Sequence, residues 1–218
     1  LPGRRLVGVL APLPLAVPSY VAAFAWVSSV PGFAGLAAAI LVLSLCCYPY
    51  VYLPVVAAMS RLDPAAEEVA RCLGRSRWRA FTDVTARQLG PTVAGGALLV
   101  ALYALSDFGA VSLLRFDAFT RVIHTSYQAS FDRTPAAVLG LLLVALTVLI
   151  TVGESRLRTR GVARLGSGLA RAAEPVRLSR ARVPAVTAVV AVLGAALVFP
   201  VASLGYWAAT GLSGGVAW

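Results

Sequence analysis

Residues 6–60 contain no charged side chain, and this uncharged stretch limits what the chain can fold into more than any other feature. A single helix of that length would rise about 80 Å, whereas the hydrocarbon core of a bilayer is about 30 Å thick. The stretch therefore predicts two membrane spans joined by a turn. Because Pro31 and Gly32 form a helix-breaking pair, we place the turn there, with spans at 6–29 and 34–59.

Three further apolar runs follow in the second part of the chain, and they predict spans at 91–112, 135–153 and 184–209. The sequence is 59% hydrophobic and 13% charged, with a mean hydropathy of +0.83. A soluble domain carries roughly 25% charged residues. We therefore predict an all-α fold, a polytopic membrane bundle with about five transmembrane spans.

The basic residues are distributed unevenly between the segments that connect these spans. All 19 are arginines, and 16 of them lie in residues 1–5, 60–90 and 154–183, whereas the segment 113–134 holds the other three. Basic residues are enriched on the cytoplasmic side of membrane proteins. The pattern therefore predicts that the first three segments are cytoplasmic, and it explains the net charge of +10 without nucleic-acid binding.

The polar block 60–90 has the pattern of two short helices joined by a glycine. Asp63 and Pro64 suit the N-cap and the first helical residue, and Gly74 ends that helix. Ser76 can cap a second helix, which we expect to end before Pro91, where the next span begins. The block therefore predicts a cytoplasmic two-helix elbow with Gly74 at its bend, in a backbone conformation of positive φ.

This elbow resembles the "EAA" loop of ABC-importer membrane subunits. The family pattern is Glu-Ala-Ala, three residues, Gly, nine residues and Ile, and the matching positions are Glu68, Val69, Ala70, Gly74 and Val84. The pattern continues with Leu-Pro, where this chain has Ala86 and Arg87. That departure concerns the end of the second helix.

The resemblance implies that the elbow docks on a separate ATPase and transmits its motion. The residues that it implies for this coupling are Glu68, Val69, Ala70, Arg71, Leu73 and Gly74. Small residues such as Ala70 would let the helix lie close to its partner. The alternative is an ordinary interfacial helix, basic and with a tryptophan, that lies on lipid.

Two flanking motifs are similar to one subgroup, the ferric-iron-type permeases, in which two homologous halves are fused. They are "YPYVYLP" at 48–54 and the stretch 105–137, which begins "LSDFGAV". The resemblance implies three regions, which are a partial first permease half at 1–155 with four spans and the elbow at 62–90, a basic cytoplasmic linker at 156–183, and the first span of a second half at 184–218. Two spans that would precede the first half are expected to be missing, so the chain is interpreted as a partial or truncated permease.

Asp107, Tyr48 and Tyr50 are the candidates for a translocation pathway. Asp107 is the only acidic residue within a predicted span, and intramembrane carboxylates are commonly functional. It also precedes Gly109 near the outer end of that span, where it would serve equally well as a helix cap. The tyrosines fit either a pore lining or an aromatic belt at the membrane surface.

The sequence contains no pattern typical of an enzyme or of a metal site. Its three cysteines lack metal or redox spacing, His124 is the single histidine, and there is no lysine for a nucleotide-binding loop. We therefore expect no enzymatic activity and no bound cofactor or metal, so that a partner subunit would hydrolyse ATP. A membrane enzyme and a non-transporting fragment are the competing interpretations.

The resemblance also implies the partners, the location and the cargo. The expected partners are cytoplasmic ATP-binding subunits, an extracytoplasmic substrate-binding protein, the remaining permease spans and the lipid bilayer, but not nucleic acid. The expected location is the bacterial inner membrane. Ferric iron is the first candidate for the cargo, and thiamine, polyamine and phosphonate are the alternatives.

Overall fold

The computed structural model describes residues 4–62, 65–129, 133–159 and 182–213. Within these ranges every regular element is helical. In chain order the elements are α1 (Arg4–Leu10), a 3₁₀ turn (Leu13–Ala16), α2 (Ser19–Ser29), α3 (Leu36–Met59), α4 (Ala65–Cys72), α5 (Arg77–Ala80), a π-turn (Phe81–Thr85), α6 (Ala86–Ser106), α7 (Gly109–Leu113), α8 (Phe119–Ala129), α9 (Thr134–Thr159), α10 (Arg182–Leu193), a second π-turn (Gly194–Val198) and α11 (Phe199–Ser213).

Two predictions fall on residues outside the described ranges. They are the cap at Asp63 and Pro64 and the greater part of the linker 156–183.

Among the described residues, four helices are long and apolar enough to cross a membrane, and a bent pair of helices makes a fifth candidate. The four are Leu36–Met59, Arg77–Ser106, Thr134–Arg156 and Val183–Thr210. The structure thus confirms the all-α polytopic bundle. The second, fourth and fifth spans lie close to their predicted positions.

The first predicted span is not one straight helix. Its two parts, Leu6–Ala16 and Ser19–Ser29, meet at an angle of 90°. The bend follows from Pro12, Pro14 and Pro18, because each proline lacks an N–H and its ring clashes with the preceding helical turn. The sequence predicted one span at 6–29, and the structure shows a sharp break within it.

The third span begins earlier and ends earlier than predicted. The second helix of the elbow does not stop before Pro91, because one helix runs from Arg77 to Ser106 and contains that proline. Pro91 removes the helical hydrogen bond to the carbonyl of Arg87, a loss that membrane helices tolerate. The departure from Leu-Pro at positions 86 and 87 agrees with this, since no helix-breaking residue stands there.

The chain forms two compact units. The first comprises Leu1–Pro49, Tyr103–Leu143 and Leu178–Trp218, and the second comprises Tyr50–Leu102 and Val144–Arg177. In the first unit α2 packs against α7 and α11. The ring of Trp26 lies 4.2 Å from that of Phe199 across the contact with α11.

In the second unit α3 and α6 approach closely at a glycine. A Cβ atom added to Gly96 would lie 2.7 Å from the Cα of Val51 and 2.9 Å from the carbonyl oxygen of Tyr50. A backbone cannot give way as the end of a flexible side chain can, so only glycine fits at this contact. The second unit also contains the elbow, in which α4 packs against α5 and the first π-turn.

Candidate functional site

The bend of the elbow is a glycine-terminated helix end. The N–H of Arg75 donates to the carbonyl of Ala70 at 3.2 Å, and the N–H of Gly74 donates to that of Arg71 at 3.0 Å. This pair of bonds is the Schellman motif, which needs a left-handed residue after the helix. Gly74 has φ +83°, which confirms the positive φ predicted from the sequence. An added Cβ would meet nothing within 4 Å, so backbone strain rather than crowding requires glycine here.

The second arm begins at a serine cap. The N–H of Arg79 donates to the Oγ of Ser76 at 3.4 Å, which satisfies one of the free N–H groups of the first turn. The structure therefore confirms Ser76 as the cap.

Within the elbow, two side-chain bonds join α4 and the Gly74 bend to the first π-turn, and neither was predicted from the sequence. The Oγ1 of Thr85 donates to the Oε2 of Glu67 at 3.0 Å, in a partly buried position. Arg75 forms an exposed ion pair with Asp83. Neither Thr85 nor Asp83 gave a sequence signal, because the bonds join residues that are 18 and 8 positions apart in the chain.

The predicted coupling residues lie together on α4 and the bend, and most of them face outward. Glu68, Val69, Arg71 and Leu73 are exposed, with exposed fractions of 58% for Val69 and 79% for Leu73. Ala70 differs, because it is only 8% exposed and lies on the arm that packs against α5 and the π-turn. Ala70 was expected to let the helix lie close to its partner, and its part in coupling stays a prediction.

We predicted that Asp107 lies within a span, but the structure places it just after the helix that ends at Ser106. It is 8% exposed, and three donors satisfy its carboxylate. The Oγ of Ser19 donates to Oδ2, and the N–H groups of Ala110 and Val111 lie 2.9 and 3.4 Å from Oδ1.

These bonds make Asp107 the cap of α7. The Oγ1 of Thr120 also donates to the backbone carbonyl of Asp107 at 2.6 Å, which attaches α8 to the same point. The geometry shows the helix cap, and a pathway role for Asp107 stays a prediction. Ser19 was missed, although its place directly after Pro18 signals a helix start. We call Ser19, Asp107, Gly109, Ala110, Val111 and Thr120 the Asp107 cluster.

The two candidate tyrosines are not equivalent. The hydroxyl of Tyr48 donates to the carbonyl of Ala11 at 2.7 Å, where α1 ends ahead of the prolines. This bond connects α3 to the end of α1, next to the break in the first span. Tyr50 is half-buried on α3. A pathway role for either residue stays a prediction.

No group of three or more histidine, cysteine, aspartate or glutamate residues within the described part of the chain could hold a metal ion. Cys46 and Cys47 are buried on α3, and Cys72 is exposed at the end of α4.

The chain matches one protein family over residues 2–160, the family described as the binding-protein-dependent transport system inner membrane component. It is 38% identical over 152 residues to the Fe(3+)-transport system permease protein FbpB 2 of Haemophilus influenzae. That match covers 70% of this chain and 30% of the relative.

Two further relatives carry other substrates in their names. The sulfate transport system permease protein CysT of Escherichia coli is 29% identical over 182 residues, which cover 73% of this chain and 65% of the relative. The molybdate/tungstate transport system permease protein WtpB of Thermococcus kodakarensis is 27% identical over 157 residues, which cover 69% and 62%. The chain thus spans less than two thirds of the length of each of these relatives. No solved structure matches it significantly.

Proposed function

The chain belongs to the family of binding-protein-dependent transport system inner membrane components, and we propose that it forms part of the permease of an ATP-driven importer. Membership places it in the inner membrane and among transport proteins rather than enzymes, as the sequence analysis predicted. In this proposal the elbow 62–90 docks on a separate ATP-hydrolysing subunit. An extracytoplasmic binding protein delivers the cargo, and further permease spans complete the pathway.

The length of the helix behind the elbow supports a cytoplasmic protein partner. Arg77–Ser106 has 30 residues and is therefore about 45 Å long, against about 30 Å for the hydrocarbon core. Its charged residues all lie toward the N-terminal end, and they are Arg77, Arg79, Asp83 and Arg87. The excess length of about 15 Å therefore extends out of the hydrocarbon core at the N-terminal end of the helix, and it places the Gly74 bend outside the acyl chains.

The composition of the outward face also favours a protein groove over lipid. Val69 and Leu73 are exposed apolar side chains on an arm that is held away from the hydrocarbon core. A partner that covered them would remove apolar surface from water, at about 25 cal/mol for each Å². Glu68 and Arg71 stand beside them, and both are exposed and available for polar contacts at the rim.

Ferric iron is the proposed cargo, because FbpB 2 is named as an Fe(3+) permease and is 38% identical to this chain. Sulfate or molybdate is the second candidate, since relatives with those substrates in their names match a similar share of the chain. The sequence analysis did not consider these oxyanions. Stimulation of ATP hydrolysis by ferric-loaded binding protein, and not by the sulfate-loaded one, would support iron, and the reverse result would support the oxyanion.

The observation that carries the proposal is the Gly74 bend, which combines a left-handed backbone with open space and an exposed face. We expect Gly74→Val to abolish substrate-stimulated ATP hydrolysis in the complete transporter while membrane insertion persists. The reason is that a β-branched residue at φ +83° would distort the bend and displace α4.

Gly90→Val is the matched control for this experiment. Gly90 also has open space around it, lies on α6 at the last position of the elbow, and has no positive φ. It should retain most of the stimulated activity. Full stimulation in Gly74→Val, or an equal loss in both variants, would contradict the proposal.

A further inference from the structure

The first π-turn receives two side-chain bonds, one from α4 and one from the residue just after the Gly74 bend. Glu67 lies in the first turn of α4, at the end that is remote from Gly74, and it accepts from Thr85 at the end of the π-turn. Arg75 lies just after the bend and pairs with Asp83 in the middle of the π-turn. The two bonds therefore fasten α4 at its far end and at the bend. We call this pair of bonds the elbow strap.

The backbone of the π-turn supports a mechanical role. Ala86 closes it with a bond from its N–H to the carbonyl of Phe81, five residues back. Turns of this kind are rare, and they frequently occur at functional sites. Here the π-turn is part of the continuous helix that ends at Ser106, so a displacement of the π-turn also displaces the N-terminal end of that span.

We infer that the elbow strap makes α4 and the N-terminal end of the helix Arg77–Ser106 move as one rigid unit. Glu67 and Thr85 are then positioning residues for coupling to the ATPase. The inference rests on the proposed function and names the contact through which the motion passes. Without the strap, α4 would be joined to the span through the packing of the elbow and through a glycine bend alone. Glu67 carries this role, whereas its neighbour Glu68, which matches the family pattern, is exposed on the face that we propose docks on the ATPase.

The two bonds of the strap differ in strength. The side chains of Arg75 and Asp83 are 52% and 47% exposed, and solvent-exposed ion pairs are weak and screened by salt. The bond between Thr85 and Glu67 is partly buried, and a hydrogen bond to a charged group is stronger than a neutral one. The bond from Thr85 therefore carries most of the fastening.

Thr85→Val tests the inference, because it removes the hydroxyl and keeps the shape. Thr82→Val is the matched control, since the Oγ1 of Thr82 bonds only to its own helix, at the carbonyls of Trp78 and Arg79. Two quantities are measured for each variant. The first is the ratio of substrate-stimulated to basal ATP hydrolysis in the complete transporter. The second is the rate of tryptic cleavage at the elbow arginines in membranes without the ATPase.

We expect Thr85→Val to lower the coupling ratio by about tenfold and to speed tryptic cleavage by a similar factor. Thr85→Ser should restore both quantities, because it retains the donor, and Thr82→Val should leave both near the wild-type values. Asp83→Asn should change them by about twofold, and only at low salt.

Identical behaviour of Thr85→Val and Thr82→Val in either measurement overturns the inference. A wild-type transporter that shows no stimulated hydrolysis with any loaded binding protein would instead overturn the proposed function. The tryptic comparison does not depend on the ATPase, so the two failures are distinguishable.

Discussion

The elbow and the Asp107 cluster both place charged side chains in a chain that is otherwise apolar, but they use them in opposite ways. On the outward face of the elbow Glu68 and Arg71 are exposed, and the bend behind them is set by the backbone of Gly74 and fastened by the elbow strap. In the cluster Asp107 is buried, and its carboxylate is satisfied by Ser19 and by the first N–H groups of α7. A buried charge that is fully bonded within the chain holds the fold, whereas exposed charges beside uncovered apolar residues remain available for a partner.

The largest effect that this comparison predicts is at Asp107. Asp107→Ala leaves the hydroxyl of Ser19 and two backbone N–H groups without their acceptor in a buried place, which should cost about 2–4 kcal/mol of folding free energy. We expect a lower midpoint of thermal unfolding in detergent and less protein in the membrane.

Asp107→Asn is the conservative control, because its amide oxygen can still accept the N–H of Ala110. It should recover most of the stability. If Asp107→Ala folded as well as the wild type and lost only transport, Asp107 would be a pathway residue, and the contrast with the elbow would disappear.

A smaller effect is expected at Gly109. This glycine is required because a neighbouring helix lies close to it, whereas Gly74 is required because of its positive φ. A Cβ there would lie 2.8 Å from the Cβ of Tyr20, so Gly109→Ala should destabilise the packing of α7 on α2 by about 1–3 kcal/mol. Tyr20→Ala should not rescue it, because the atom in conflict is the Cβ, which alanine retains. Unfolding midpoints of the single and double variants provide the measurement.

Gly140→Ala is the matched control for Gly109→Ala, since Gly140 lies on α9 with nothing within 4 Å of an added Cβ. It should be neutral or slightly stabilising, because alanine favours a helix. Rescue by Tyr20→Ala would show that the tyrosine ring, and not the backbone approach, sets the requirement.

The general fold was predictable because its signals are local. Long apolar runs require helices in a membrane, and the Pro31-Gly32 pair marks the turn between two of them. The bend at Gly74 and the cap at Ser76 were also predictable, since each depends on the conformational preference of one residue.

The remaining features depend on residues that are distant in sequence. The bond between Ser19 and Asp107 joins positions 88 residues apart, and that between Glu67 and Thr85 joins positions 18 apart. A single sequence contains no period or spacing that pairs such residues. Pro91 misled the sequence analysis for a different reason, because a rule for helix ends in water is weaker in a membrane helix.

The central claim is that the outward face of the elbow docks on an ATP-hydrolysing subunit, and site-specific cross-linking tests it most directly. Leu73→Cys, in a Cys72→Ser background, places a thiol at the most exposed apolar position of the bend, while the two remaining native cysteines are buried. Thr125→Cys in the same background is the control, because Thr125 is exposed on α8 in the segment predicted to face the opposite side of the membrane. We predict that Leu73→Cys cross-links to the ATPase with a yield that changes with nucleotide, and that Thr125→Cys does not. Equal yields from the two positions, with no dependence on nucleotide, would contradict the account.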